Sequence, residues 1–507
     1  MKVRFETASN GEQTCSAGGF RLHSSYNPSR EAGRFASNAE CSFNPRYILV
    51  TGPALSYCAD FLKKRFPGAE LCCIRFSKEF HETDSKWHAV FCAFDKADPE
   101  KENRRLSEEL FGYMGDEGIS SCLFLSWKPS ELPFKELSEF AWKEIKKAAV
   151  KSKSVLATRT YFSRRWARNA LRFALFVKNT AVLRRGNSAV IVCASGPSLK
   201  QSIPFIKQFR ERFFLIAVSS ALSAMRCYGI SPDLCISTDG GYWAKLHLSF
   251  PLQNSRIPLA LPAEGSCFAS VLSKTPVVPL FYGDGCSQAV LESTGFQGMK
   301  ALRNGSVSGT AAMLALSLTE GSVFFCGLDL SSSKGFFHIQ PNELDKRNSA
   351  FDSRLNTAET RAAAASAASL SSTEIYRSWF SSADFGGRLF RLSSGSYSSP
   401  LGKTADIHWS DFERMTADFR SRSKPSTAET KTEFSLSERT EQLRSTVQQN
   451  CSNPEWIKSA LPAESLMQER AKGTAHEDEA KKKTAGCMEQ FCTDILNALG
   501  RKNPYDI

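Results

Sequence analysis

The sequence of 507 residues has no run of 18 apolar residues, which excludes a hydropathic membrane span. Its first residues, MKVRFETASNGEQT, lack the apolar core of a secretory leader, so no leader is expected. None of the 16 cysteines belongs to a C-x-x-C pair or to a Cys/His spacing of the zinc type. Cys92, Cys193, Cys235 and Cys326 lie instead inside apolar, strand-like runs. Free, buried thiols in a reducing compartment are the economical reading, and a cytoplasmic protein is expected. A D-x-D pair is missing near the strand ends, so metal-clamped sugar-diphosphate chemistry gains no support. Aromatic–basic interleaving and DNA-reading motifs are absent too, and nucleic acid is not expected as a partner.

What is present is an ordinary globular composition, 42% hydrophobic and 23% charged, in a chain long enough for several domains. The formal net charge of +13 favours an anionic partner. Arg164, Arg165, Arg168 and Arg172 cluster, but their spacing equally suits one charged face of an amphipathic helix.

Residues 1–40 form a polar N-terminal segment. Residues 41–130 then read as a small α/β domain. RYILVTG is a strand closed by Gly52, a helix follows to Pro67-Gly68, and ELCCIRF, WHAVFCAF and SCLFLSW are further strands. A polar helix, PEKENRRLSEELFGYM, is expected between the last two. Residues 131–184 are a helical connector. The core domain spans 185–412, where strands such as AVIVCAS, FFLIAVSS, PDLCISTD and VFFCGLDL alternate with helices. That alternation predicts a doubly wound, Rossmann-like parallel sheet. A polar linker is expected at 413–440 and a helical tail at 441–507.

Ligands of open α/β sheets bind at the carboxyl ends of the strands, so the residues there are the site candidates. VCASGPSL places Ser195, Gly196, Pro197, Ser198 and Leu199 between a strand and a helix that is expected to start at Pro197. A helix N-terminus offers free N–H groups and partial positive charge to a phosphate, and Gly196 would let a ligand approach the backbone. It is not a P-loop, because Lys200 is wrongly placed for G-x-x-x-x-G-K-[ST]. The alternative is plain strand–cap–helix punctuation. Asp239, followed by Gly240 and Gly241, ends another strand and could accept bonds from a sugar hydroxyl or only cap the turn. Asn304, Ser306, Ser308 and Gly309 stand at a second helix start, as an anion cradle or a capping segment. Gly327 and Asp329 end a third strand, and His338 follows. Histidine is the natural general base near neutral pH, although a lone loop histidine is more often solvated.

The motifs VCASGPSL, GISPDLCISTDGG, NGSVSGTAAMLALSL and FFCGLDLSSSKGFFH, in this order, resemble the motility-associated factor (Maf) glycosyltransferases. LHSSYNPSREAGRF resembles that family's N-terminal HSkyxPxxEA segment, and the resemblance spans about residues 20–410. It implies transfer of a nonulosonic acid, of the pseudaminic or legionaminic type, from a CMP-sugar to Ser/Thr of flagellin, supporting flagellar assembly. It also implies a sialyltransferase-like core. By similarity to bacterial sialyltransferases, Ser195, Gly196, Pro197 and Ser198 would face the nucleotide phosphate, with Ser308 and Gly309 beside the donor. His338 would be the base, with Asp239 as a further proton acceptor and His408 of ADIHW in reserve. No metal or other cofactor is implied. The same core resembles the archaeal (MptE-like) 6-hydroxymethylpterin diphosphokinase, which needs Mg-ATP and an acidic D-x-D-G cluster; here Ser237 stands in place of the first acid. A nucleotide-sugar-binding protein that has lost catalysis is the non-enzyme alternative.

Overall fold

The computed structural model describes residues 2–94, 106–252, 255–331, 336–393, 400–431 and 435–500. Two compact units emerge: Met1–Tyr161 with Leu461–Cys487, and Phe162–Ala460 with Met488–Ile507.

The first unit opens with antiparallel β1 (Val3–Thr7), β2 (Gln13–Ala17) and β3 (Phe20–Arg21), then α1 (Pro28–Ser37). Asn27 caps α1 by accepting the Arg30 N–H at 2.7 Å, and Pro28 fills the first turn, where its missing N–H costs nothing. Next come β4 (Tyr47–Thr51), α2 (Tyr57–Arg65), β5 (Glu70–Arg75), β6 (Ala89–Cys92), α3 (Leu106–Ser120) and β7 (Cys122–Ser126). Their strands form a parallel sheet in the order β6–β5–β4–β7. All five residues of β4 are buried, as its unbroken apolar run requires of a strand covered on both faces. The HSSYNPSREA stretch is part of this unit: Nε2 of buried His23 accepts the Leu55 N–H at 3.1 Å. Residues 95–105, the polar start expected for α3, lie outside the described residues.

The long helix α4 (Lys135–Phe176) begins in the first unit and ends in the second. There follow β8 (Asn179–Arg184), β9 (Ala189–Cys193), α5 (Leu199–Gln208), β10 (Phe213–Val218), α6 (Leu222–Cys227), β11 (Leu234–Ile236) and α7 (Leu246–Leu252). Next are β12 (Leu259–Pro262), α8 (Ala269–Leu272), β13 (Val277–Phe281), α9 (Gly285–Ser293), β14 (Met299–Lys300), α10 (Val307–Leu318) and β15 (Val323–Cys326). The unit continues through α11 (Glu343–Asn348), α12 (Ala358–Ser382), β16 (Leu389–Leu392), β17 (Ala405–Ile407), α13 (Trp409–Met415) and β18 (Ser426–Lys431). The eleven strands make one sheet, β17–β16–β15–β9–β10–β11–β12–β13–β8–β18, with β14 on β13. All pairs are parallel except β18 on β8. From β9 the chain steps outward through β13, then returns to β15 on the other side of β9. Strand order therefore reverses between β9 and β15, the switch point at which such sheets open a crevice. The expected doubly wound architecture is present, with a smaller α/β unit before it.

Three boundaries differ from those expected. The polar stretch 413–440 is not a free linker: STAETK forms β18, whose Thr-rich sequence suits a half-exposed edge strand on β8. The connector 131–184 contributes β8 as well as helix. The tail comprises α14 (Leu436–Asn450), α15 (Pro454–Ala460), α16 (Pro462–Ala471) and α17 (Glu477–Leu499), and it is not one appendage. Helices α14 and α15 pack on α9 and bury Leu443, Val447 and Trp456, whereas α16 belongs to the first unit. Cys451 and Cys492 form a disulfide, a departure from the expectation of free thiols; the other cysteines are free and mostly buried. No helix among the described residues is long and apolar enough to cross a membrane.

Candidate functional site

At the switch point, the turn after β9 meets the turn after β15. The helix begins at Leu199, not at Pro197, and Gly196 to Ser198 form the tight turn before it. The Gly196 N–H donates to the Gly327 carbonyl at 2.8 Å. The Ser198 N–H donates to Asp329 Oδ2 at 2.8 Å, and its hydroxyl donates to Asp329 Oδ1. Leu199 N–H returns to the Gly196 carbonyl at 3.0 Å, and the Leu199 side chain is buried in the core. A Cβ on Gly196 would stand 2.5 Å from the Gly327 oxygen and 2.6 Å from the Asp329 carboxyl carbon. What approaches this glycine so closely is the chain itself. Asp329 thus occupies the anion position of α5, and burial raises its carboxyl pKa while the Ser198 bonds and Arg391 hold it down. Arg391, fully buried on β16, donates to the Leu328 carbonyl beside Asp329 at 3.3 Å and is itself held by Asp406 at 2.6 and 2.8 Å.

A second helix start is built differently. Asn304 Oδ1 accepts the Ser306 N–H at 2.9 Å, and the Ser306 hydroxyl accepts the Gly309 N–H at 3.0 Å. Gly309 makes room for this: a Cβ there would lie 2.3 Å from the Asn304 carboxamide carbon. Among the described residues no hydrogen-bond partner meets the amides of Val307 and Ser308. The first turn of α10, half-buried and free of carboxylates, keeps donors open that α5 does not.

Asp239 is exposed after β11, and its Oδ1 accepts the Gly241 N–H at 2.7 Å. Asn169 on α4 fixes the turn by donating to the carbonyls of Gly240 and Glu264, at 3.1 and 2.8 Å. Tyr376 on α12 lies at the start of α10: its ring is 3.2 Å from where a Gly305 Cβ would be, and burial foremost, then the Asp239 charge, push its phenol up. Arg303, next to Asn304, is gripped by Glu264 at 2.5 and 3.1 Å and by Asp284 at 2.6 Å, over the Tyr282 ring at 4.3 Å. Its guanidinium pKa is raised further by those carboxylates against the pull of burial.

His338 is half-buried. Its neighbour Ile339 donates its N–H to the Ser195 carbonyl at 2.7 Å, which seats the His338 segment on the first turn. Ser220, after β10, donates its hydroxyl to the Ser195 hydroxyl at 2.9 Å, and Asn342 Nδ2 reaches the Ser220 carbonyl at 3.3 Å. Burial foremost, then His247, lowers the His338 imidazole pKa, while Asp345 and Glu343 oppose. His408 is exposed at the head of α13, beyond β17 and two strands out from β15. The structure therefore brings Ser195, Gly196, Ser198, Gly327, Asp329 and His338 into one cluster. Asn304, Ser306, Ser308 and Gly309 gather at the start of α10, and Asp239 and Gly240 stand in the turn after β11. Among the described residues there is no group of three His, Cys, Asp or Glu side chains spaced for a metal ion. Tyr376, Arg303, His247 and Glu343 were missed by sequence reasoning. The last two pair across 96 residues, so no local pattern marks them.

Residues 165–335 match the family model described as 6-hydroxymethylpterin diphosphokinase MptE-like. An uncharacterized protein of Treponema pallidum (strain Nichols) is 32% identical over 244 residues, 48% of this chain and 54% of that protein. The match thus spans about half the length of that curated relative. A solved Maf glycosyltransferase from Magnetospirillum magneticum AMB-1 aligns at a TM-score of 0.49 and 12% identity, over 98% of this chain and 87% of that one. The doubly wound unit, from α4 to the exit of β15, is where this chain is similar to the MptE-like family.

Proposed function

We propose that the protein is a glycosyltransferase that moves a nonulosonic acid from a CMP-sugar to Ser/Thr hydroxyls of flagellin. The observation that carries this reading is the seating of the His338 segment on the Ser195 turn, through the Ile339 N–H, at the carboxyl edge of the sheet, where burial lowers the imidazole pKa. His338 takes the proton as the acceptor oxygen attacks the anomeric carbon, and the CMP phosphate leaves with the electrons of the broken glycosidic bond. The transition state is oxocarbenium-like. Charge developing on the phosphate meets the open amides of Val307 and Ser308 and the hydroxyl of Ser308, at the positive end of α10. The turn at Gly196–Leu199 frames the site rather than donating to the phosphate, because Gly327 and Asp329 already engage its donors. Asp239, exposed at the exit of β11, accepts from the sugar hydroxyls. No metal is required in this mechanism, so chelator should leave the rate unchanged.

The name of the matched family favours a second reading, pyrophosphoryl transfer from Mg-ATP to a pterin. Ser237 stands where that chemistry would place an acid, and its hydroxyl is buried without a partner. Calorimetry separates the readings. CMP is expected to bind with and without Mg²⁺, and Ser308→Ala to weaken it several-fold. Binding of Mg-ATP and hydroxymethylpterin, with none of CMP, would overturn the glycosyltransferase reading. Tight CMP binding without turnover would mark a catalytically inactive nucleotide-sugar-binding protein.

A further inference from the structure

Three strand exits meet at one carboxylate. Glu343 opens α11, five residues after His338. Its Oε1 accepts from the Ser223 hydroxyl on α6, which follows β10. Its Oε2 accepts from His247 Nδ1 at 2.7 Å, on α7, which follows β11 and Asp239. The His247 side chain is only 7% exposed and that of Glu343 19%, so both sit where an unmatched charge would be costly. Packing alone would be served as well by apolar side chains, since a buried ion pair is a poor way to gain stability. A carboxylate on Nδ1 does something packing cannot: it fixes the imidazole tautomer and orientation. Upstream, the same segment is pinned by Ile339 to Ser195 and by Asn342 to Ser220.

We infer that Glu343 and His247 are a positioning pair, which locks the segment carrying His338 against the exits of β10 and β11 and so sets the base in place for sugar transfer. The inference rests on the reading of His338 as the general base. Neither residue touches substrate in this account; both act through His338. The titratable groups around that imidazole are His247, Glu343 and Asp345, and they set how it responds.

The test uses the full chain with E343Q and H247Q, each checked for folding by circular dichroism. E343Q is expected to lower kcat about 10- to 100-fold, as misplacement of a catalytic group does, while the CMP Kd stays within about threefold. H247Q should move the acid limb of kcat to higher pH, because the neighbour that lowers the His338 pKa is gone. The double variant should be no slower than the worse single, since the pair acts as a unit. Wild-type kcat in E343Q, or additive losses with an unmoved acid limb, would overturn the pair. Absence of sugar transfer by the wild-type chain would sink the function reading instead. NMR of the His338 ring then still reads its placement: its resonances should shift in both E343Q and H247Q, and spectra unchanged in both would overturn the pair.

Discussion

His338 carries the proton chemistry in this account, and its surroundings fix the pH range in which it can act. Burial and His247 hold its imidazole below the ordinary 6.5, so the base form prevails at neutral pH. The unfolded chain lacks those constraints and binds the proton first as pH falls. Stability should therefore decline between 6.5 and the lower folded value, and this contribution is fully present above that window. For catalysis, the pH–kcat profile should show an acid limb with its midpoint below 6.5. H338Q should lower kcat about 10²- to 10⁴-fold and abolish that limb. A limb that survives the substitution would remove His338 as the base. Of this, the residue itself was legible from its place after the strand VFFCGLDL; its environment was not, because His247 and Glu343 come from distant segments.

At the scale of elements, the two helix starts look alike in sequence and differ in what covers them. Both VCASGPSL and NGSVSGT place small polar residues and glycine before a helix. Only the first is closed by a carboxylate, and Asp329 comes from 131 residues away. No local pattern reports such a partner, so the two turns could not be ranked from sequence. Asp329 acts as the cap that α5 lacks from its own chain neighbours, since the Ser198 side chain makes no cap bond. Removing it in D329A should cost about 1–2 kcal/mol, measured by denaturant unfolding. A loss of only a few tenths would show that the Ser198–Asp329 bonds do not hold this turn. The alternation of strands and helices was legible because parallel strands buried on both faces read as unbroken apolar runs, as in β9 and β10.

At the scale of the whole molecule, that alternation predicts a doubly wound parallel sheet, while the strand order, and with it the switch point between β9 and β15, comes from the structure. The domain edges were less legible. β18 joins β8 across a wide gap in sequence, with Thr180 Oγ1 bonding to the Thr430 carbonyl 250 residues away at 3.3 Å. A polar, Thr-rich edge strand carries no hydrophobic signature, so the stretch read as a linker. The charged helices after 440 read as an appendage because their buried residues, such as Trp456 and Leu466, are sparse among solvated ones. The central claim, sugar transfer to flagellin with His338 as the base, is tested most directly by intact mass spectrometry. Purified flagellin is incubated with a CMP-nonulosonic acid and either the wild-type chain or H338Q. The account predicts mass gains of whole sugar residues with the wild-type chain and a gain at least about 100-fold slower with H338Q. Flagellin of unchanged mass with the wild-type chain, or equal rates for the two, would contradict it.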